Sequence, residues 1–176
     1  MSATTSKHKG TAPPLLNYAI IVCSSSRYKK LKTEQVDDPS GDLIAKVLRQ
    51  NGHAVTQRTT VPDDKALIEQ AVQNALDSSE VDVVITCGGT GISPADVTIE
   101  TVQPMLEKEI SGFGETLRKL SYEQIDSAAI LTRAMAGVSK GKAVFCVPGS
   151  PHAVALSLDK LILPESGHIV MHAREK

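Results

Sequence analysis

Residues 81–100, VDVVITCGGTGISPADVTIE, join a β-branched run to a glycine loop and then to the start of a helix, and the rest of the chain is read outward from them. The run at 81–86 holds one acid among Val, Ile and Thr, the pattern of a central strand covered by helices on both faces. Such strands belong to α/β folds. Gly88, Gly89 and Gly91 surround Thr90 directly after the strand, and three glycines allow positive φ and let backbone N–H groups close on an anion. A phosphate is the expected guest. Beyond the loop Pro94 stiffens the chain, and Asp96 with Thr98 makes a polar opening to a helix. An acid beside a phosphate-sized nest favours a divalent cation. The plainer alternative makes the glycines a turn and Asp96 a helix cap. Neither GxxxxGK[ST] nor GxGxxG occurs here, which argues against a kinase, a GTPase or a dehydrogenase.

Upstream, 18–23 (YAIIVC) reads as a first buried strand. Ser24, Ser25, Ser26 and Arg27 follow it where an α/β sheet places a ligand loop, and hydroxyls with a guanidinium suit a nucleotide; a plain polar loop is the alternative. The charged stretch 28–39 is too polar for a core element and is expected to be a flexible lid. Residues 40–42 then open an amphipathic helix with Leu43, Ile44, Val47 and Leu48 on one stripe, ended by Asn51-Gly52. Residues 53–61 form a strand, and Pro62-Asp63-Asp64 turns it into a helix carrying Leu67, Ile68, Ala71, Val72, Ala75 and Leu76. Asp63 and Asp64 suit the N-terminus of that helix.

Downstream, Ile99, Val102, Met105, Leu106 and Ile110 fall at helical spacing interrupted by Pro104, with Glu100 able to face the glycine loop. A second helix from near Gly114 presents Leu117 and Leu120 to the core and Arg118 and Lys119 to solvent. The pattern at 127–135 fits a helix or an extended core piece, and 137–142 reads as a basic turn. The last central strand, 143–147, runs into Pro148, Gly149, Ser150 and Pro151 as the earlier strand runs into its glycines. A closing helix carries Ala153, Leu156, Leu158, Leu161 and Ile162 and is expected to end near Pro164, before a short apolar strand or tail at 168–171. His152 and His168 lack the carboxylate or Cys spacings that would define a metal site and read as surface or packing residues.

The chain has 176 residues, enough to bury a sizeable core without disulfides, and the reading is a three-layer α/β/α sandwich with a mostly parallel sheet over 15–176. Residues 1–14, rich in Ser, Thr, Lys and Pro, are expected to be a disordered tail. With 19 basic and 20 acidic residues there is no field to draw nucleic acid or an anionic membrane, and 3% aromatics rules against base stacking. No apolar run reaches the roughly 20 residues of a membrane helix, and no signal-peptide core is present, so a cytoplasmic protein acting on small molecules is expected. Cys23, Cys87 and Cys146 form no CxxC pair and read as small core residues.

The glycine loop followed by Asp96-Val97-Thr98 resembles the signature of the MogA/MoaB family of molybdenum-cofactor biosynthesis proteins, and most closely that of MoaB. The resemblance continues through Gly112-Phe113-Gly114-Glu115, 118–122, Leu131-Thr132-Arg133-Ala134, Ala136-Gly137 and Pro148-Gly149-Ser150-Pro151. Asp38-Pro39-Ser40-Gly41 is similar to the family's Asp-x-Ser-Gly. Where the family carries an acid or amide before the Arg of the first loop, this chain has Ser26. The resemblance implies Mg²⁺-ATP-dependent adenylylation of molybdopterin. Asp63 and Asp96 would then be the catalytic and Mg²⁺-holding carboxylates. Gly88, Gly89, Thr90, Gly91, Ser24, Ser26 and Arg27 would bind phosphate or nucleotide. Pro148, Gly149, Ser150, Pro151 and Glu100 would bind pterin or nucleotide. It also implies a homo-trimer or homo-hexamer. Two other readings stay open on the same fold: a catalytically inactive molybdopterin-binding scaffold and a nucleotide pyrophosphatase.

Overall fold

The computed structural model of the chain describes residues 15–31 and 37–175. The reading of 1–14 as a tail, and of 32–36 as part of a lid, lies outside them. Strand β1 (Asn17–Cys23) sends Tyr18, Ile20 and Val22 to one face and Ala19, Ile21 and Cys23 to the other, and every one of these is buried. An all-apolar strand of this kind is stable only between two helical layers. Its neighbours are β2 (Ala54–Val61), β3 (Val83–Cys87), β4 (Lys108–Glu109), β5 (Met135–Ser139) and β6 (Lys142–Val147), in the order β2-β1-β3-β6-β5-β4. The pairs β1·β2, β1·β3 and β3·β6 are parallel; β5 runs antiparallel to both β6 and β4. The sheet is thus mostly parallel, and its two outermost strands carry exposed polar residues, as edges require.

One face is covered by α2 (Pro39–Gln50), α5 (Ser111–Ile125), α6 (Pro151–Ser157) and α7 (Leu163–Ala173), through Ile44, Leu48, Phe113, Leu117, Val154 and Val170. The other is covered by α3 (Lys65–Asp77) and α4 (Thr98–Val102), through Ile68, Val72, Leu76, Ile99 and Val102. Together they make the expected three-layer α/β/α sandwich. The short α1 (Ser25–Lys30) follows β1 directly. Cys23, Cys87 and Cys146 are free and buried, and burial pushes each thiol up to about 12, so they pack as small apolar groups.

Several local expectations need correction. Residues 28–30 belong to α1, and Asp38, at the far end of the polar stretch, is buried: it caps α2 by accepting from Gly41 N at 3.1 Å and pairs with Arg58 at 2.8 Å. The described parts of that stretch are therefore anchored. The helix read through Ile110 ends at Val102, where a 3₁₀ turn, Gln103–Met105, takes in Pro104 before β4 begins. The segment at 127–135 resolves into a 3₁₀ helix, Asp126–Leu131, and the start of β5. The basic turn is only Lys140-Gly141, both at positive φ, because Met135–Ser139 pairs as a strand despite its Ala and Gly.

The closing helix does not stop at Pro164. A π turn, Leu158–Ile162, shifts the register so that Leu163 N donates to Leu158 O, and Pro164, which has no N–H, falls in the first turn of α7. Residues 168–171 are helical for that reason.

Candidate active site

The strand order places a topological switch at β1 and β3, whose onward connections leave in opposite directions, and ligands of open α/β sheets bind beyond the carboxyl ends at such a point. A cavity of about 500 Å³ lies there. Its lining comes from the ends of four parallel strands: Cys23 and Ser24 after β1, Asp63 after β2, Gly88, Gly89, Thr90, Gly91 and Asp96 after β3, and Pro148 and Gly149 after β6. Ala128, Leu131 and Thr132 close one side.

The glycine loop is shaped by contact as well as by φ. Gly88 has φ 107°, and a Cβ there would collide with the carbonyl oxygen of Cys23; Gly89 has φ 65° and packs against Thr98. Thr98 ties the loop to α4: its hydroxyl donates to Gly88 O at 2.9 Å and its N–H to Gly89 O at 3.1 Å. Gly88→Ala is expected to lower stability by about 2 kcal/mol or more, since strained backbone alone costs about 1–2 kcal/mol and the collision adds to it. Urea denaturation measures the difference.

Neither carboxylate is a helix cap. Asp64 caps α3, accepting from Leu67 N at 3.0 Å, which leaves Asp63 for another task. Asp63 instead locks the first loop: its Oδ2 accepts from Ser25 N at 2.8 Å while its own N–H donates to Ser25 Oγ at 2.9 Å. Asp96 closes a tight turn by accepting from Ser93 N at 2.9 Å through Oδ2. The Oδ1 atoms lie outside these bonds. A Cβ built on Gly89 would sit 3.6 Å from Asp63 Oδ1, and one on Gly91 would sit 2.8 Å from Asp96 Oδ2, so both carboxylates flank the glycine loop.

Other sequence-predicted residues fall elsewhere. Ser24 lines the cavity and caps α1 by accepting from Arg27 N at 3.4 Å. Ser26 is exposed, and Arg27 turns to Asp37 O and Asp38, so neither lines the cavity. Ser150 caps α6 and Pro151 occupies its first turn; both stand behind Pro148 and Gly149. Ser40 fixes that loop by donating to Gly149 O at 2.7 Å. Glu100 does not face the glycine loop. It lies in a separate depression with Lys65 and Ile92 and pairs with Arg133.

Arg133, which the sequence places in a shared motif without a role, proves to organise the site. Its backbone N–H donates to Thr90 O at 3.0 Å, its Nε to Gly91 O at 2.8 Å and one terminal nitrogen to Asp96 O at 3.2 Å. One side chain thus grips both the glycine loop and the Asp96 turn, with Glu100 bracing it from behind. The hydrogen bond from Arg133 holds the Glu100 carboxyl below its ordinary value, so the brace is present at neutral pH and is lost only as pH falls through and below the ordinary carboxylate range. The signal of Arg133 in the sequence is its place in the Leu131-Thr132-Arg133-Ala134 stretch of the family resemblance, to which no role was attached. Gly114 serves the same region: a Cβ there would strike Ala134 O, so glycine lets α5 press against the chain next to Arg133.

Comparison with known proteins agrees with this architecture. Residues 19–168 match the family described as "Probable molybdopterin binding domain". The Bacillus cereus molybdenum cofactor biosynthesis protein B is 48% identical over 170 residues, 96% of each chain. A Methanocaldococcus jannaschii protein named probable molybdopterin adenylyltransferase is 42% identical over 161 residues, 91% of this chain and 95% of its own. Among solved structures, the tungsten cofactor synthesizing protein MoaB of Pyrococcus furiosus superposes with a TM-score of 0.82 at 41% identity, covering 93% of this chain and all of that one. With a family match over 19–168 and relatives this similar along nearly the whole chain, the chain belongs to the molybdopterin-binding domain family of molybdenum-cofactor biosynthesis proteins.

Proposed function

We propose that this protein adenylylates molybdopterin: the terminal phosphate of molybdopterin attacks the α-phosphorus of ATP, giving adenylylated molybdopterin and pyrophosphate. The observation that carries this reading is that Asp63 and Asp96 flank one glycine loop on one cavity at the switch point of the sheet. Transfer at phosphorus depends mainly on positioning and charge neutralisation, and no covalent intermediate on the protein is needed. The N–H groups of the loop at 88–91 suit phosphate oxygens, and Ser24, Pro148 and Gly149 border the space left for nucleotide and pterin. The 42% identical relative named an adenylyltransferase supports the same assignment.

The donor set also fits Mg²⁺. Among the described residues no group of three or more His, Cys, Asp or Glu forms a closed metal cage, and Mg²⁺ typically binds through one or two carboxylates, substrate phosphates and water. Asp63 and Asp96 would hold it. When bound, Mg²⁺ supplies neutralisation of phosphate charge. The residues themselves hold the loops: Asp63 joins the β1 and β2 ends through Ser25, and Arg133 fixes the Asp96 turn.

Incubating the protein with ATP and Mg²⁺, with and without molybdopterin, and resolving the nucleotide products tests the proposal. Pterin-dependent release of pyrophosphate with adenylylated pterin is expected. Pyrophosphate released without pterin would make it a pyrophosphatase, and no turnover with retained pterin binding would make it a scaffold.

Two further expectations belong to this reading. Arg133→Gln should lower turnover about tenfold and stability by about 1–2 kcal/mol, because charge-assisted bonds to two loop carbonyls are lost from a partly exposed site. Steady-state kinetics and thermal melts check it. The protein should act in the cytoplasm, without nucleic acid or membrane, as a homo-trimer or homo-hexamer. Ile92 at 68% exposure and Ile130 at 72%, together with exposed Ile125 and Leu131, are apolar area that an interface would cover. A monomer by light scattering at micromolar concentration would overturn the assembly.

A further inference from the structure

The two histidines of α7 are arranged in a way that the proposed reaction does not use. His168 and His172, one helical turn apart, turn their rings toward each other, with centroids 4.6 Å apart and Nε2 atoms 2.8 Å apart. Behind each ring stands a carboxylate: His168 Nδ1 lies 3.3 Å from Glu165 Oε2, and His172 Nδ1 lies 2.9 Å from Glu175 Oε2. An ionised carboxylate only accepts, so each Nδ1 carries the hydrogen, and in the neutral ring the lone pair then sits on Nε2. Two such lone pairs face each other across 2.8 Å, a separation that a shared proton or a metal cation would bridge.

We propose that His168 and His172 form a surface site for a divalent transition-metal cation of the zinc, copper or nickel kind. Neutral imidazole is a preferred ligand for these ions, and a carboxylate on the far nitrogen is the usual outer-shell partner, fixing the tautomer and raising the basicity of the ligating nitrogen. With metal–nitrogen bonds of about 2.0–2.1 Å, nitrogens 2.8 Å apart subtend roughly a right angle at the ion, and a small opening of either ring gives the tetrahedral angle. His172 is 46% exposed and His168 24%, so the remaining positions are open to water. No residue of α7 lines the cavity between the strand ends, so this site is separate from the proposed adenylyl-transfer site.

The test is titration of the full chain with Zn²⁺ alone, in a buffer that does not chelate, followed by calorimetry and by the imidazole Hε1 resonances. One equivalent is expected to shift the His168 and His172 resonances together while those of His53 and His152 stay fixed. His172→Ala should weaken binding at least tenfold with the fold retained. Glu175→Gln, which leaves both ligands in place, should weaken it about tenfold as outer-shell changes do. Saturation without movement of these two rings, unchanged affinity in His172→Ala, or no binding at millimolar Zn²⁺ would each overturn the site; in the last case the pair holds a shared proton and no metal. Should His172→Ala fail to fold, the ring shifts in the unaltered protein still decide.

Discussion

Asp96→Asn is expected to remove adenylyl transfer, by about 10³-fold or more in turnover, which is about 4 kcal/mol of barrier, while the melting temperature stays near that of the parent. The asymmetry follows from what each atom of the side chain does. Its structural bond is one acceptor to Ser93 N at 2.9 Å, and the carbonyl oxygen of Asn can take that bond over. The grip of Arg133 on this turn is on the backbone oxygen of residue 96 and is untouched by the change. Asn cannot supply the negative charge that would hold Mg²⁺ beside the glycine loop. Measuring kcat with saturating ATP and molybdopterin alongside a thermal melt separates the two contributions. Turnover near the parent value would remove Asp96 from the chemistry and leave it as the closing residue of a turn.

The central strands and the loop after β3 were legible in the sequence because their physics is local. A strand buried on both faces must be apolar throughout, as Val83–Cys87 and Lys142–Val147 nearly are, and glycines at positive φ stand out beside them. The two acids were legible for a different reason: chain order in a parallel sheet sends successive strand ends to the same edge. Which of Asp63 and Asp64 caps α3 was not legible, since either side chain suits an N-terminus, and only the bond between Asp63 and Ser25, 38 residues away, decides it. The role of Arg133, a residue seen only as part of a motif, was hidden for the same kind of reason. Its partners, Gly91, Asp96 and Glu100, are 33 to 42 residues distant and come near only when β5 is laid beside β6. Pro164 misled because a proline normally ends a helix, and the π turn that accommodates it leaves no trace in hydrophobic spacing.

Asp63→Asn is expected to lower turnover on the order of 10²-fold, about 3 kcal/mol of barrier, with a smaller effect on ATP affinity. Asp63 ends β2 and Asp96 follows β3, with β1 lying between those two strands in the sheet, so the two carboxylates reach one cavity from either side of the first loop. The bond from Ser25 N to Asp63 Oδ2 and the return bond from Asp63 N to Ser25 Oγ hold that loop in place, and Asn preserves both, since it keeps an acceptor oxygen and the backbone N–H. Only the charge is lost. If that charge serves merely to order the β1 loop, the variant should show a lower melting temperature with kcat unchanged. If it holds Mg²⁺ or orients the attacking phosphate beside Gly89, kcat should fall while the melt stays close to that of the parent. Asp63→Ala provides the second arm: it deletes the acceptor for Ser25 N as well as the charge, so it should lose stability by about 1–3 kcal/mol in addition to activity. The difference between the Ala and Asn variants in stability isolates the loop lock. Their shared loss of turnover isolates the carboxylate, and equal kcat in all three proteins would return Asp63 to a purely structural role.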